Sequence, residues 1–188
     1  MSAEYGKLPP VLENPEKPCP TEILRQQIAL PVTYYGFDRK SHSGLIEVNL
    51  TVVDDVKAFF DLALELNFLI EKVVPASNSD YQWDDNKLMA ANVSSGFNYR
   101  LIAGTDKVSL HGHGLAFDIN PRQNPYIRHE SGEIIVAPTG AVWEPDKSGT
   151  LSDNHPLVQF MLECGWEWGG NWSQDSDRTD YQHFQKPN

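Results

Sequence analysis

The chain has 188 residues, 40 % apolar and 22 % charged, enough for one domain with its own core and too polar for a membrane protein. Twenty-six Asp+Glu against 15 Lys+Arg leave a net charge of −11, which argues against nucleic acid as a partner, because a phosphate backbone needs clustered cations. No apolar run approaches the roughly 18 residues of a spanning helix, and the opening Met-Ser-Ala-Glu-Tyr-Gly-Lys lacks the basic start and apolar stretch of a signal peptide.

Residues 1–20, rich in Pro and Glu without a hydrophobic period, read as an extended leader, and residues 21–188 as one domain. Leu45 to Leu50 alternates loosely, as a strand does. From Thr51 the spacing of Val52, Val56, Phe59, Phe60, Ala63 and Leu66 predicts a helix. Thr51 or Asp54 is its expected cap and Asn67 its stop. Phe68 to Val74 reads as extended, and the polar stretch Ser79 to Asn92 as mostly loop, with Trp83-Asp84-Asp85 in solvent. Phe97 to Ile102 has strand-like composition, and Leu115 to Asn120 is a strand closed by Pro121. Residues 121–150, broken by four prolines, are a long excursion with at most short strands at 133–136 and 141–143. A second helix follows, with Asp153 or Asn154 as cap, Pro156 in the first turn, Leu157 to Cys164 as its body and Gly165 as terminator. Trp166 to Trp172 reads as strand and turn, and Tyr181 to Gln185 as a last strand. The fold expected is α+β, a single domain in which helices pack on a small antiparallel sheet.

Cys19 and Cys164 are too few for a disulfide framework or a zinc knuckle, and sequence does not decide whether they pair. Cys164 reads as a buried helix-end thiol, with no basic neighbour to activate it. Any metal must therefore be held by His and carboxylates. Five of the six histidines lie after residue 110, in a chain where Ser109-Leu-His111-Gly-His113-Gly-Leu-Ala-Phe-Asp118 and Asp180-Tyr-Gln-His183 stand out. Two neutral imidazoles and one carboxylate make a usual zinc site with a fourth position open. The glycines around His111 and His113 allow a tight loop that turns one imidazole toward Asp118. Imidazole suits zinc better than calcium or magnesium. The plainer alternative is a surface loop whose Asp118 caps a turn.

The series Ser109-x-His111-x-x-Gly114-x-Ala116-x-Asp118 followed by Asp180-x-x-His183 resembles the zinc D-alanyl-D-alanine carboxypeptidase family. That family includes VanY-type carboxypeptidases, VanX-type dipeptidases and phage L-alanyl-D-glutamate endopeptidases. Phe97-Asn-Tyr-Arg100, Asp118-Ile-Asn-Pro121 with Asn124-Pro-Tyr126, and Gly165-Trp-x-Trp168-Gly-Gly-x-Trp172 resemble further stretches of VanY-like members. The resemblance implies one zinc per chain held by His111, Asp118 and His183, with Asp180 as the catalytic carboxylate. It implies an arginine, Arg100, on a substrate carbonyl or carboxylate, and Ser109 near the substrate's peptide groups. His113 falls at a variable family position and is expected on the cleft wall or behind the ligands. Ser173 to Thr179 is longer and more acidic than the family pattern, which makes Asp175 and Asp177 rivals to Asp180, although only Asp180 has the expected spacing from His183.

Among the aromatics, Trp166 and Phe184 are expected in a wall under the metal, while Trp168 and Trp172, flanking a Gly-Gly turn, are candidates for the cleft. The function implied is hydrolysis of an amide next to a D-amino acid in peptidoglycan stem peptides, with D-alanyl-D-alanine carboxypeptidase action favoured. The alternatives are an endopeptidase acting as a phage lysin or exported antibacterial effector, the latter with an immunity or inhibitor protein as partner. The expected site of action is the periplasm or cell wall, reached by an unknown export or lysis route. A rival of another class is a zinc-stabilised binding module, as in Hedgehog signalling domains of the same architecture.

Overall fold

The protein is described by a computed structural model covering residues 8–102, 104–174 and 177–187. A one-turn helix α1 (Thr21–Leu24) leads into a long antiparallel hairpin of β1 (Gln27–Tyr35) and β2 (Ser41–Asn49). The loose alternation at 45–50 marks only the end of β2. Of the leader read at 1–20, residues 1–7 lie outside the described residues. Cys19 is buried and Cys164 partly exposed, and both are free thiols.

The helix expected from Thr51 forms as α2 (Val53–Glu65), burying Val53, Val56, Phe59, Phe60 and Ala63. Its N-cap position is Val52, whose side chain has no hydrogen-bonding group, while the Thr51 hydroxyl donates to Asn49 Oδ1 at 2.9 Å. Asp54 and Asp55 instead lie in the first turn, where their charge suits the helix dipole. Asn67 ends the helix with a positive φ of 53°.

The extended stretch 68–74 reduces to β3 (Lys72–Val73), paired in parallel with β4 (Val93–Ser94). Between them the segment read as loop contains a helix, α3 (Asp85–Ala90). Asp84 caps it, Oδ1 accepting from the amides of Asn86 and Lys87 at 2.9 and 3.2 Å. Six residues with only Leu88 buried are too few to show a helical period, so the cap was its one legible mark. Phe97 to Ile102 is not a strand either, apart from a single bridge from Leu101 to Val108. Its backbone is spent on the site loop: Phe97 N donates to Glu47 O at 2.6 Å and Asn98 N to His111 O at 3.1 Å.

Two three-stranded antiparallel sheets carry the rest. In one, β10 (His183–Gln185) lies between β5 (Ala116–Asp118) and β8 (Glu167–Trp168). In the other, β6 (Tyr126–Glu130) lies between β7 (Glu133–Ala137) and β9 (Arg178–Asp180). The strand expected at 133–136 is β7, whereas none forms at 141–143 and β6 was not anticipated so soon after Pro125. The last helix, α4 (Pro156–Glu163), is capped by His155 rather than Asp153 or Asn154, its Nδ1 accepting from Leu157 N at 3.2 Å. Gly165 terminates it at a φ of 78°.

One core joins the hairpin, α2, α4 and the ligand-bearing sheet through Ile46, Val48, Phe59, Leu157, Phe117 and Phe184. Phe117 and Phe184 stack at 5.2 Å, and Phe59 meets both edge-on. Because a strand alternates its faces, the neighbours of these two rings, Asp118 and His183, are turned away from the core. The α+β expectation is met. Among the described residues no helix is long and apolar enough to cross a membrane.

Candidate metal centre and cleft

Antiparallel pairing of β5 with β10 sets Asp118 directly opposite His183. His111 comes from a single 3-10 turn, His111–His113, just before β5. That turn closes on Gly114 with a φ of 69°, where a Cβ would lie 1.9 Å from Gln27 Oε1. Ligand atoms of His111, Asp118 and His183 lie within 4.8 Å of one another, so the three side chains form a group that could hold a metal ion. His111 Nε2 is 3.1 Å from His183 Nδ1 and 3.3 Å from Asp118 Oδ2, while His183 Nδ1 is 3.1 Å from Asp118 Oδ1.

The outward nitrogens decide the tautomers. His111 Nδ1 lies 2.8 Å from Gly96 O, a carbonyl that can only accept, so the proton sits on Nδ1. His183 Nε2 lies 3.0 Å from Gln185 Oε1. Gln185 is oriented by its own amide nitrogen, which donates to Glu167 Oε2 at 2.5 Å, leaving oxygen toward the imidazole. Neutral rings so held turn two nitrogen lone pairs inward onto a carboxylate. Three acceptors converging at these distances repel unless a cation lies among them, so the donor set fits a zinc-like ion.

Charge follows the same logic. Burial alone would raise the Asp118 carboxyl, but the imidazoles of His111 and His183 hold it well below the usual carboxylate range. Burial would push His183 down, yet a proton added at Nδ1 would be held by Asp118, which lifts the group above the ordinary histidine value. Burial pushes the Asp180 carboxyl up to about 6. Its Oδ1 is buried with no partner among the described residues. Asp180 sits at the end of β9, packed so closely that a Cβ on Gly169 would lie 2.5 Å from its carbonyl.

The triad opens into a cleft of about 960 Å³ whose walls include Arg100, Ser109, Trp172, Asp180, Gln182 and Gln185. Arg100 is fixed at two points: Nε donates to Asp85 and Nη1 to Ser109 Oγ at 3.0 Å. Asp85 is itself held, its Oδ1 accepting from Asn98 Nδ2 at 2.7 Å. Asp85, expected in a solvated loop, is therefore an anchor in the cleft wall. Ser109 Oγ also accepts from Gly112 N at 3.1 Å, so this buried hydroxyl ties the histidine turn to Arg100.

Trp168 is a correction: it is 1 % exposed, belongs to the core and donates Nε1–H to Tyr181 O at 2.9 Å. Its bulk fills the space beside Gly170, where a Cβ would lie 2.3 Å from the indole, so it cannot reach substrate. Trp172 does line the cleft, 5.2 Å from the His183 ring. Trp166 and Phe184 are buried in the core as expected. His113 is not a cleft residue; its carbonyl is held by Gln27 and Asn49 at 3.2 and 3.1 Å, which fastens the turn to the hairpin. Asp177 is exposed and outside the cleft, and Asp175 lies outside the described residues. Gln182 and Gln185 were not foreseen, since only tertiary pairing brings them to the site.

Neither the curated proteins nor the solved structures contain a significant match to the chain. Residues 103–186 match a family model described as D-alanyl-D-alanine carboxypeptidase. That stretch contains Ser109, His111, Asp118, Asp180 and His183, the residues on which the resemblance was drawn. The segment holding the triad is thus similar to the D-alanyl-D-alanine carboxypeptidase family, and the match supports a peptidase.

Proposed function

We propose that the protein is a zinc peptidase of peptidoglycan, hydrolysing an amide bond next to a D-amino acid in the stem peptide, most simply as a D-alanyl-D-alanine carboxypeptidase. The observation that carries this reading is the inward convergence of His111 Nε2, His183 Nδ1 and the Asp118 carboxylate beside Asp180, whose buried Oδ1 has no partner among the described residues. His111, Asp118 and His183 would hold the ion, each imidazole locked in the ligating tautomer by Gly96 or Gln185. When bound, zinc supplies Lewis acidity that polarises a carbonyl and makes water a stronger acid.

The chain's own groups do the remaining work. Asp180 Oδ1 takes a proton from the attacking water and passes it to the leaving amine. Its elevated pKa suits both halves of that transfer, since the carboxylate is ionised at neutral pH yet remains a usable base. Arg100, immobilised by Asp85 and Ser109, has Nη2 unengaged among the described residues. That nitrogen can donate to a substrate carbonyl or carboxylate, and a fixed cation loses little on binding. The breadth of the cleft favours endopeptidase action as the second reading, because chain on both sides of a scissile bond would fit.

The test is digestion of muropeptides of defined stem length by the zinc-loaded protein, with mass spectrometry of the products. Loss of one terminal alanine supports carboxypeptidase action; cleavage between L-Ala and D-Glu, or across a cross-link, supports the endopeptidase. Zinc binding with no turnover on any of them would favour a binding module or another substrate.

A further inference from the structure

Among the described residues, three arginines and no lysine line the cleft of this strongly acidic chain. Arg100 is accounted for above; the other two, Arg128 and Arg178, face each other directly in the β6–β9 ladder. The next pair on the same face of that ladder is Tyr126 opposite Asp180. Two residues along a strand are about 6.6–6.8 Å, so the arginine pair stands roughly that far out from the proposed base. Like charges directly opposite each other destabilise a ladder. A substrate anion between the two guanidiniums would be attracted by both.

We infer that Arg128 and Arg178 form a carboxylate-binding subsite for the substrate peptide, one or two residues from the scissile bond. This rests on the peptidase reading above. An extended peptide advances about 3.3–3.6 Å per residue, which sets the reach. A guanidinium forks onto a carboxylate through two parallel bonds, and no other cationic side chain does so. Arg178 is braced by stacking on Trp172, its guanidinium carbon 5.2 Å from the ring centre. Arg128 rests on Glu130, Nη2 to Oε2 at 2.7 Å, an exposed pair of the weak kind that a better-placed carboxylate can displace. Glu130 therefore competes with the substrate for Arg128. The acidic residues of stem peptides, whose free carboxylates are replaced by amides in some walls, are the chemical class selected.

The experiment compares paired stem peptides that differ only in a free or amidated carboxylate. Turnover is measured with the zinc-loaded full chain, and binding to the same chain by calorimetry. Arg128→Ala should raise KM or Kd for the acidic peptide by about 3- to 10-fold with kcat unchanged, and leave the amidated peptide alone. Arg128→Lys should rescue only part of this, and Glu130→Gln should tighten the acidic peptide. Equal effects on both peptides, or none, would overturn the subsite. The calorimetric arm reads it without turnover, so a protein that binds acidic peptides through Arg128 but cleaves nothing would refute the peptidase and keep the subsite.

Discussion

His183 stands directly across the β5–β10 pair from Asp118, its Nδ1 3.1 Å from Oδ1, although 65 residues separate them in sequence. A one-residue slip of β10 along β5 would turn His183 into the core and bring Phe184 out. The aromatic stack beneath the sheet therefore fixes the register of the site above it.

Removal of any of His111, Asp118 or His183 leaves too few protein ligands for a catalytic ion. The protein is expected to hold about one zinc per chain, and His111→Ala, Asp118→Ala and His183→Ala each to lose most of it. Elemental analysis after gel filtration measures this, and full occupancy in all three would refute the ligand set.

Gln185 presents an oxygen to His183 Nε2 because Glu167 holds its amide nitrogen. Gln185→Leu removes that acceptor and should weaken metal affinity about 10- to 100-fold, whereas Gln185→Glu keeps it. Competition with a chromophoric chelator checks both. Equal affinities in Leu and wild type would mean that packing alone orients the imidazole.

Arg100 owes its position to Asp85 and Ser109. Arg100→Ala should keep zinc and turn over poorly, Arg100→Lys should be a partial rescue, and Asp85→Asn should raise KM more than it lowers kcat. Steady-state kinetics beside zinc content decide the matter; wild-type rates in Arg100→Ala would remove the residue from the mechanism.

The parts of this molecule that sequence revealed are those carried by local spacing. The apolar period of α2, the Pro156 and Gly165 limits of α4, and the two histidine motifs all lie within a few turns of chain. What was hidden depends on pairing between distant segments. Asp85 became an anchor only when α3 met the Arg100 loop, and Gln185 only when β8 supplied Glu167. Trp168 looked like a cleft residue because of its glycines, but Gly170 is small so that the indole can fold back over it into the core.

Glu47 lies on β2, 2 % exposed, with Oε2 unpartnered among the described residues, and burial pushes its carboxyl from 4.5 up to about 8. The folded state then binds more protons than the unfolded chain between those values, so stability falls as pH rises from about 4.5 to about 8 and levels off above. A proton on Oε2 makes it a donor, and Gln27 Oε1, diagonal to it on the same face of the hairpin, is a buried acceptor with no partner among the described residues. Glu47→Gln should flatten this slope and stabilise the protein by about 2–4 kcal/mol at pH 8, with little gain at pH 5. Denaturant unfolding at both values tests it; parallel pH profiles for the two proteins would show that Glu47 folds charged.

Asp180 is three residues before His183, at the end of β9, in the cleft and not within the ligand group. Asp180→Asn keeps the size and hydrogen bonding of the side chain but cannot accept a proton. It should retain zinc and fold normally while losing about 10²–10⁴ in kcat. Asp180→Ala should lose at least as much. Asp177 is exposed and away from the cleft, so Asp177→Asn should stay within about twofold of the parent. Muropeptide turnover, zinc content and circular dichroism on the same preparations separate a lost base from a lost fold. A normal Asp180→Asn beside a dead Asp177→Asn would shift the base to the loop before β9. Normal rates in both would leave the water without a carboxylate base, and the peptidase mechanism built on Asp180 would fall.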